Sequence, residues 1–278
     1  MITRVNCKIN LGLDILRRRP DGYHDIATVM VPAPWYDILE VVRAANPDGV
    51  DTLTVTGNAV DCPPEKNLVL KAVRAMRARY DFDAVDIYLH KIIPDGAGLG
   101  GGSADAAFCC RLINDIFNLG ASRRALAEIV ATVGSDCPFF IYNEPMLCTG
   151  TGTTMEHVNI GNTARYIVIA KPQGVSVSTA EAYAGVTPEI PAESIETIVS
   201  KSSCEWPGHL NNAFEPSVFA AAPAVSQLKD AMYTLGAVYA SMSGSGAAVY
   251  GLFDAIPRHD ELQKALGTPI FIASEFAI

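Results

Sequence analysis

Residues 94 to 107 read Pro-Asp-Gly-Ala-Gly-Leu-Gly-Gly-Gly-Ser-Ala-Asp-Ala-Ala. Five of the seven positions from Gly96 to Gly102 are glycine, a density that costs folding entropy which a plain connection would avoid. What glycine permits is close approach of the backbone to a ligand, with N–H groups turned inward. The flanks give the loop its meaning. Before it, Val85-Asp86-Ile87-Tyr88-Leu89-His90-Lys91-Ile92 alternates as a strand does. After it, Ser103–Asn118 is rich in alanine, helical in pattern and ended by Gly120. A helix N-terminus then adds unpaired donors and partial positive charge, which suits a phosphate. Ser103 is expected as the N-cap, its hydroxyl within reach of a phosphate or a metal-bound water.

A structural turn is the plain alternative, but the glycine density and the helix that follows argue against it. A Walker loop would end in Gly-Lys-Ser/Thr, and no lysine follows these glycines. The stretch Gly96-Ala97-Gly98-Leu99-Gly100-Gly101 satisfies the dinucleotide pattern GxGxxG literally. That fingerprint also requires a second strand after the helix, ending in an acidic residue. Here Ser122–Val133 follows, with helical spacing, so the dinucleotide reading loses to the phosphate loop and stays a distant third.

Working outward, strand-like runs cover residues 2–16, 25–31, 37–43 and 51–56. Asn67–Tyr80 reads as a helix with Leu68, Val69, Ala72, Val73 and Met76 on one face and Asn67 as its cap. Gly134-Ser135-Asp136-Cys137-Pro138 is a sharp break, with short strands expected at 139–142 and 146–158. Beyond it, the pattern predicts a strand at 166–170, then helices at 179–184, 191–200, 210–220 and 224–235. Strands at 237–241 and 247–253, a helix at 258–266 and a strand at 269–274 complete it. The mixture predicts an α+β fold in two lobes, residues 1–160 with the loop and 161–278.

Of the 278 residues, 49% are hydrophobic and 18% charged, ample for a folded core. A net charge of −9 argues against a general nucleic-acid binder, which carries a basic face. Seven cysteines without a CxxC pair or zinc-ligand spacing read as reduced, mostly buried thiols. The first eight residues hold no apolar run of signal-peptide type, and no stretch reaches the roughly 18 apolar residues of a membrane span. A cytoplasmic location without membrane association is expected.

Three further segments carry chemistry. Lys8 and Asn10 lie two apart in the first strand and share a face. Burying Lys8 would need a partner, and the plain alternative is a surface lysine. Asp136 sits in the Gly-Ser-Asp-Cys-Pro break, where turn-forming aspartate is the alternative. Ser243-Gly244-Ser245-Gly246 between two apolar strands would by itself be a hairpin turn.

Taken together these segments resemble the GHMP kinases, the superfamily of galactokinase, homoserine kinase, mevalonate kinase and phosphomevalonate kinase. The strand with Lys8, the Pro94–Ala107 loop and Met242-Ser243-Gly244-Ser245-Gly246-Ala247 match its three motifs in order. Lys8-Ile9-Asn10-Leu11 followed by Arg19-Pro20-Asp21-Gly22-Tyr23-His24 is similar to the branch that phosphorylates a cytidine-diphosphate-linked polyol. Gly134–Phe140 resembles that branch's catalytic aspartate segment. Asp95 departs from the pattern, which more often has an uncharged residue after the proline.

The resemblance implies a two-lobed fold with its active site in the cleft between lobes, using ATP and Mg²⁺. It implies phosphoryl transfer to the 2-hydroxyl of 4-diphosphocytidyl-2-C-methyl-D-erythritol, a step of non-mevalonate isoprenoid synthesis. Lys8 and Asp136 would be catalytic. Pro94, Gly96, Ala97, Gly98, Leu99, Gly100, Gly101, Gly102, Ser103 and Ala104 would hold ATP. Asn10, Tyr23, His24, Tyr183, Ser243, Gly244, Ser245 and Gly246 would hold the acceptor, with Tyr23 and His24 reading cytosine and Tyr183 stacking on its other face. For Tyr183 a place in the core is the equal alternative. Another small-alcohol kinase of the superfamily, or a non-catalytic nucleotide or metabolite binder, are the rival functions.

Overall fold

The computed structural model of the chain describes residues 1–60 and 62–276. In chain order it begins with β1 (Ile2–Arg18), β2 (His24–Arg43), β3 (Thr52–Gly57), α1 (Leu68–Arg77) and β4 (Val85–Lys91). Then come α2 (Gly101–Phe117), α3 (Arg123–Ala131), α4 (Cys137–Tyr142), β5 (Met146–Gly150), β6 (Thr154–His157) and β7 (Tyr166–Ala170). The remainder is α5 (Thr179–Ala184), α6 (Ile195–Val199), α7 (Glu215–Ala221) and α8 (Pro223–Thr234), followed by β8 (Tyr239–Met242), β9 (Val249–Phe253), α9 (His259–Leu266) and β10 (Phe271–Glu275). The fold is α+β, as expected.

The chain forms two compact units, neither continuous in sequence. The first comprises Met1–Cys7, Trp35–Asp95 and Gly100–Glu144. The second comprises Lys8–Pro34, Gly96–Leu99 and the chain from Pro145 on. A boundary drawn along the sequence near residue 160 does not describe this interleaving, in which the phosphate loop itself contributes to both.

In the first unit the later half of β2 pairs antiparallel with β4 (Val41↔Ile87), and β4 pairs parallel with β3 (Leu53↔Ile87). Helix α2 packs on α1, α3 and α4, and its alanines and cysteines are small enough for a helix enclosed on several sides. Asn67 caps α1 as expected, its side chain accepting from Val69 N at 2.9 Å. The run 139–142, expected as a strand, is the helix α4. Pro138 occupies its first turn, where a missing N–H costs nothing, and Phe139, Phe140 and Ile141 are buried. The apolar run carried no period to distinguish the two.

In the second unit the earlier half of β2 pairs with β5 (Thr28↔Cys148), and β5 pairs with β6, so that 146–158 is a hairpin rather than one strand. The runs 25–31 and 37–43 are both parts of the unbroken strand β2. A separate antiparallel sheet has the order β10-β7-β9-β8. Its core includes Val168, Val249, Phe214 and Leu228. Helix α7 starts at Glu215, not near 210, because Pro216 favours the first turn and Asn211–Phe214 bond elsewhere.

Five of the seven cysteines are buried, Cys62 is intermediate and Cys204 exposed. Among the described residues no helix is long and apolar enough to cross a membrane.

Candidate active site

The loop from Pro94 to Gly100 runs between β4 and α2, as its flanks predict, and the next helix is α3 rather than a dinucleotide-fold strand. At Gly98 (φ +72) a side chain would run into the Ser243 carbonyl oxygen, so only glycine allows the backbones to touch. Gly100 (φ +69) is the N-cap of α2, and no side chain caps that end. Its left-handed turn starts the helix at Gly101. Ser103, expected as the cap, therefore lies inside the first turn, with Ala104 N bonded to Gly100 O at 2.9 Å. Asp95, the departure from the family pattern, is exposed.

The second unit gathers several of the expected residues. Lys8 is 3% exposed, which removes the surface-lysine alternative. Its Nζ donates to Asn10 Oδ1 at 2.6 Å and to Gly98 O at 3.0 Å. The Asn10 amide donates to Thr28 Oγ1 at 2.9 Å. Ser243 Oγ donates to Gly98 O at 3.0 Å and also approaches Asn10 Oδ1 at 3.5 Å. The Ser243–Gly246 segment is thus more than a hairpin turn, because it packs directly against the loop. Ser245 Oγ shares a hydrogen bond of 3.3 Å with Thr179 Oγ1, and Ser176 Oγ lies against Gly96.

The aromatic residues fall together in part. His24 stacks on Tyr183 with centroids 4.8 Å apart and planes 22° apart. Tyr183 meets Phe214 edge-on at 4.8 Å, so it is both a neighbour of the core and half of a ring pair. Tyr23 is 67% exposed and stands outside that pair.

In the first unit Asp136 is half-buried at the N-cap position of α4. The next residue, Cys137, is hydrogen-bonded by the Ser103 hydroxyl; burial pushes its thiol up to about 12. The aspartate turn and the first turn of α2 therefore adjoin.

Beneath the loop's stems lies a cluster that the sequence reading missed. Lys91 Nζ donates to Asp37 and, at 2.7 Å, to Asp105 Oδ2. Asp37 Oδ1 accepts from Ile92 N at 2.6 Å and Ile93 N at 2.8 Å. The strand leaving β4 and the helix α2 are thereby tied to one buried group of charges. Burial pushes the Asp105 carboxyl up to about 7, opposed by the Lys91 charge and aided by that of Asp37. The partners lie 54 and 14 residues apart, a spacing with no local pattern; a lone aspartate among alanines and cysteines in α2 was the available signal. Asp14, on β1, is also pushed up by burial, to about 6.

A glycine-rich phosphate loop between strand and helix suits a small-molecule kinase that uses ATP, and the relatives of this chain are such kinases. Residues 67–144 match the GHMP kinases N terminal domain and residues 196–267 the GHMP kinases C terminal domain. The chain belongs to the GHMP kinases. It is 47% identical to a 4-diphosphocytidyl-2-C-methyl-D-erythritol kinase of Parabacteroides distasonis, over 95% of each chain. It is 44% identical to the protein of that name from Bacteroides thetaiotaomicron, over 98% of each. A crystal structure of 4-(cytidine 5'-diphospho)-2C-methyl-D-erythritol kinase superposes with a TM-score of 0.77 at 28% identity, covering 99% of this chain and 98% of that one.

Proposed function

We propose that this chain transfers the γ-phosphoryl group of ATP to the 2-hydroxyl of 4-diphosphocytidyl-2-C-methyl-D-erythritol, giving the 2-phosphate and ADP in non-mevalonate isoprenoid precursor synthesis. The observation that carries the cytidyl acceptor is the His24–Tyr183 ring pair, a half-buried platform in the same unit as Lys8 and Asn10. Base–aromatic stacking contributes about 1–3 kcal/mol per base. Tyr23, exposed at the adjoining turn, closes on the base when it binds.

The acceptor oxygen attacks the γ-phosphorus, a new O–P bond forms, and the bond to the ADP oxygen breaks. Asp136 orients the hydroxyl and takes its proton. Lys8 offsets negative charge on the transferring group, and its hydrogen bonds to Asn10 and Gly98 hold it in place. The backbone N–H groups of residues 96–103 cradle the phosphates, with Pro94 and Ala104 bounding the cradle. Asn10 and the Ser243–Gly246 turn bound the acceptor side. Positioned proton transfer supplies about 10²- to 10⁴-fold in rate, so alignment and electrostatics from the loop supply most of the remainder.

Mg²⁺ takes few protein ligands and relies on substrate phosphates. The Ser103 hydroxyl and the Asp136 carboxylate, on adjoining segments of the first unit, are oxygen donors of that kind. When bound there, the ion neutralises charge on the ATP phosphates.

A coupled ADP-release assay with this acceptor against mevalonate, homoserine and galactose tests the substrate. Turnover of the cytidyl compound alone is expected; turnover of mevalonate alone would overturn it, and no ADP release across the panel would favour a non-catalytic binder. Asp136→Asn is expected to lower kcat by about 10²-fold or more while leaving nucleotide binding intact. Most of the rate surviving in that variant would remove Asp136 from the role of base.

A further inference from the structure

One buried asparagine lies outside every motif recognised in the sequence, yet it grips the turn on which the phosphate loop rests. Asn212 is 2% exposed. Its Nδ2 donates to Met242 O and to Gly244 O, both at 2.9 Å. Its Oδ1 accepts from Phe214 N at 3.0 Å. Both amide hydrogens and the carbonyl oxygen are therefore used, a combination that only glutamine, one methylene longer, also offers. Its backbone is anchored to β1, with Leu13 N donating to Asn211 O at 2.9 Å and Ala213 N to Leu13 O at 2.8 Å.

Glu215, three residues on, completes the grip. Its Oε1 accepts from Met242 N at 2.9 Å and Ser241 Oγ at 3.1 Å, and its Oε2 accepts from Lys229 at 2.7 Å. Met242 is thus held at its N–H by Glu215 and at its C=O by Asn212. The next residue, Ser243, touches Gly98 through its carbonyl oxygen and donates its hydroxyl to Gly98 O at 3.0 Å. Ala248 N, beyond the turn, donates to Ala97 O at 3.1 Å. Gly98 O in turn accepts from Lys8 Nζ at 3.0 Å.

We propose that Asn212 is a positioning residue for phosphoryl transfer: through the Met242–Gly244 backbone it sets where Gly98 presents its N–H and where Lys8 is held. The inference rests on reading the loop as the ATP phosphate site. Asn212 is buried and acts through the turn whose carbonyls it holds. Packed interiors pass such displacements on, because they have no slack to absorb them. The two carbonyls that Asn212 satisfies are buried, so losing the amide forces the turn to shift or leaves them unpaired.

The test compares steady-state kinetics of the full chain, varying ATP and the cytidyl acceptor separately. Asn212→Ala is expected to raise the KM for ATP about tenfold and lower kcat, with a smaller rise in the acceptor KM because the same turn bounds the acceptor side. Asn212→Asp keeps the shape but replaces the donor. Its protonated carboxyl restores one of the two hydrogen bonds, and its carboxylate repels both carbonyls. Its kcat/KM for ATP should therefore be near the wild-type value at low pH and fall to the alanine level as pH rises. That added ionisation should be absent from wild type and from Asn212→Ala. Tyr233→Phe, which removes a hydrogen bond to Ala240 O at 3.3 Å upstream on β8, serves as a control and should leave the ATP KM unchanged.

An equal rise in both KM values, or an Asn212→Asp profile parallel to wild type, would overturn the proposal. Should the alanine variant not fold, Asn212→Asp titrated across pH carries the test alone, since its low-pH form keeps a donor. Equilibrium titration with a non-hydrolysable ATP analogue separates the two readings. Weakened binding in the variants against firm binding in wild type supports the positioning role even if the acceptor has been misassigned. Absence of binding in wild type sinks the phosphate-loop reading and this inference with it.

Discussion

Lys8 and Lys91 are buried to nearly the same degree, 3% and 5% exposed, and they grip different parts of the molecule. Lys91 donates to two carboxylates, Asp37 and Asp105. Lys8 donates to neutral oxygens, Asn10 Oδ1 at 2.6 Å and Gly98 O at 3.0 Å. Carboxylate partners cancel an ammonium's charge at short range and turn it into a structural clamp. The two oxygens at Lys8 fix its ammonium against the backbone of the phosphate loop, a place that suits work on a ligand anion. The place of the contacts thus sorts two lysines that burial alone cannot distinguish. Each is bound to one stretch of the same loop: Lys91 to the stems through Asp37 and Asp105, Lys8 to Gly98 itself.

The same substitution at both lysines should have different consequences. Lys91→Met leaves two buried carboxylates without their cation, a loss of about 3–5 kcal/mol for a buried pair broken on one side. A large drop in the urea midpoint is expected, with kcat per folded molecule changing less. Lys8→Met leaves Gly98 O with a donor, the Ser243 hydroxyl at 3.0 Å. Its urea midpoint should move little, while kcat falls about 10²- to 10³-fold, the usual cost of removing one transition-state donor. Stable, inactive Lys91→Met together with unfolded Lys8→Met would reverse the assignment.

Much of this was legible because it was local. The glycine loop, the strand before it and the helix after it lie within one continuous stretch, and Lys8 with Asn10 followed from the two-residue period of a strand. The helix at α4 was not legible, since Phe-Phe-Ile-Tyr is apolar at every position and only burial against α2 and α3 decides its state. The Ser103 cap was misplaced because Gly100 turns left-handed, and a row of three glycines offers no sequence mark for which one does so. Asn212 and the Asp37–Lys91–Asp105 group escaped for a different reason. Their meaning lies in partners such as Met242 and Gly244, 30 and 32 residues away, and neither spacing follows a helical or strand period.

Asp105 allows the finest sharpening. Two carboxylates share one ammonium, and Asp105 Oδ1 is the buried side-chain polar atom without a hydrogen-bond partner among the described residues. Burial pushes this carboxyl up to about 7, against about 3.9 in an unfolded chain. Between those values the folded chain binds the extra proton, so stability falls as pH rises. The contribution is fully present below about pH 4 and lost above about pH 7. The Cys109 thiol, four residues along α2, is pushed up chiefly by burial and stays neutral throughout that range. Asp105→Asn abolishes the titration but keeps an oxygen for Lys91. Urea midpoints at constant ionic strength should favour wild type at the acid end, with that advantage shrinking steadily toward neutrality. A pH-independent difference would mean that Asp105 stays ionised. Lys91 would then stand between two full negative charges rather than in a clamp that reaches neutrality by holding a proton.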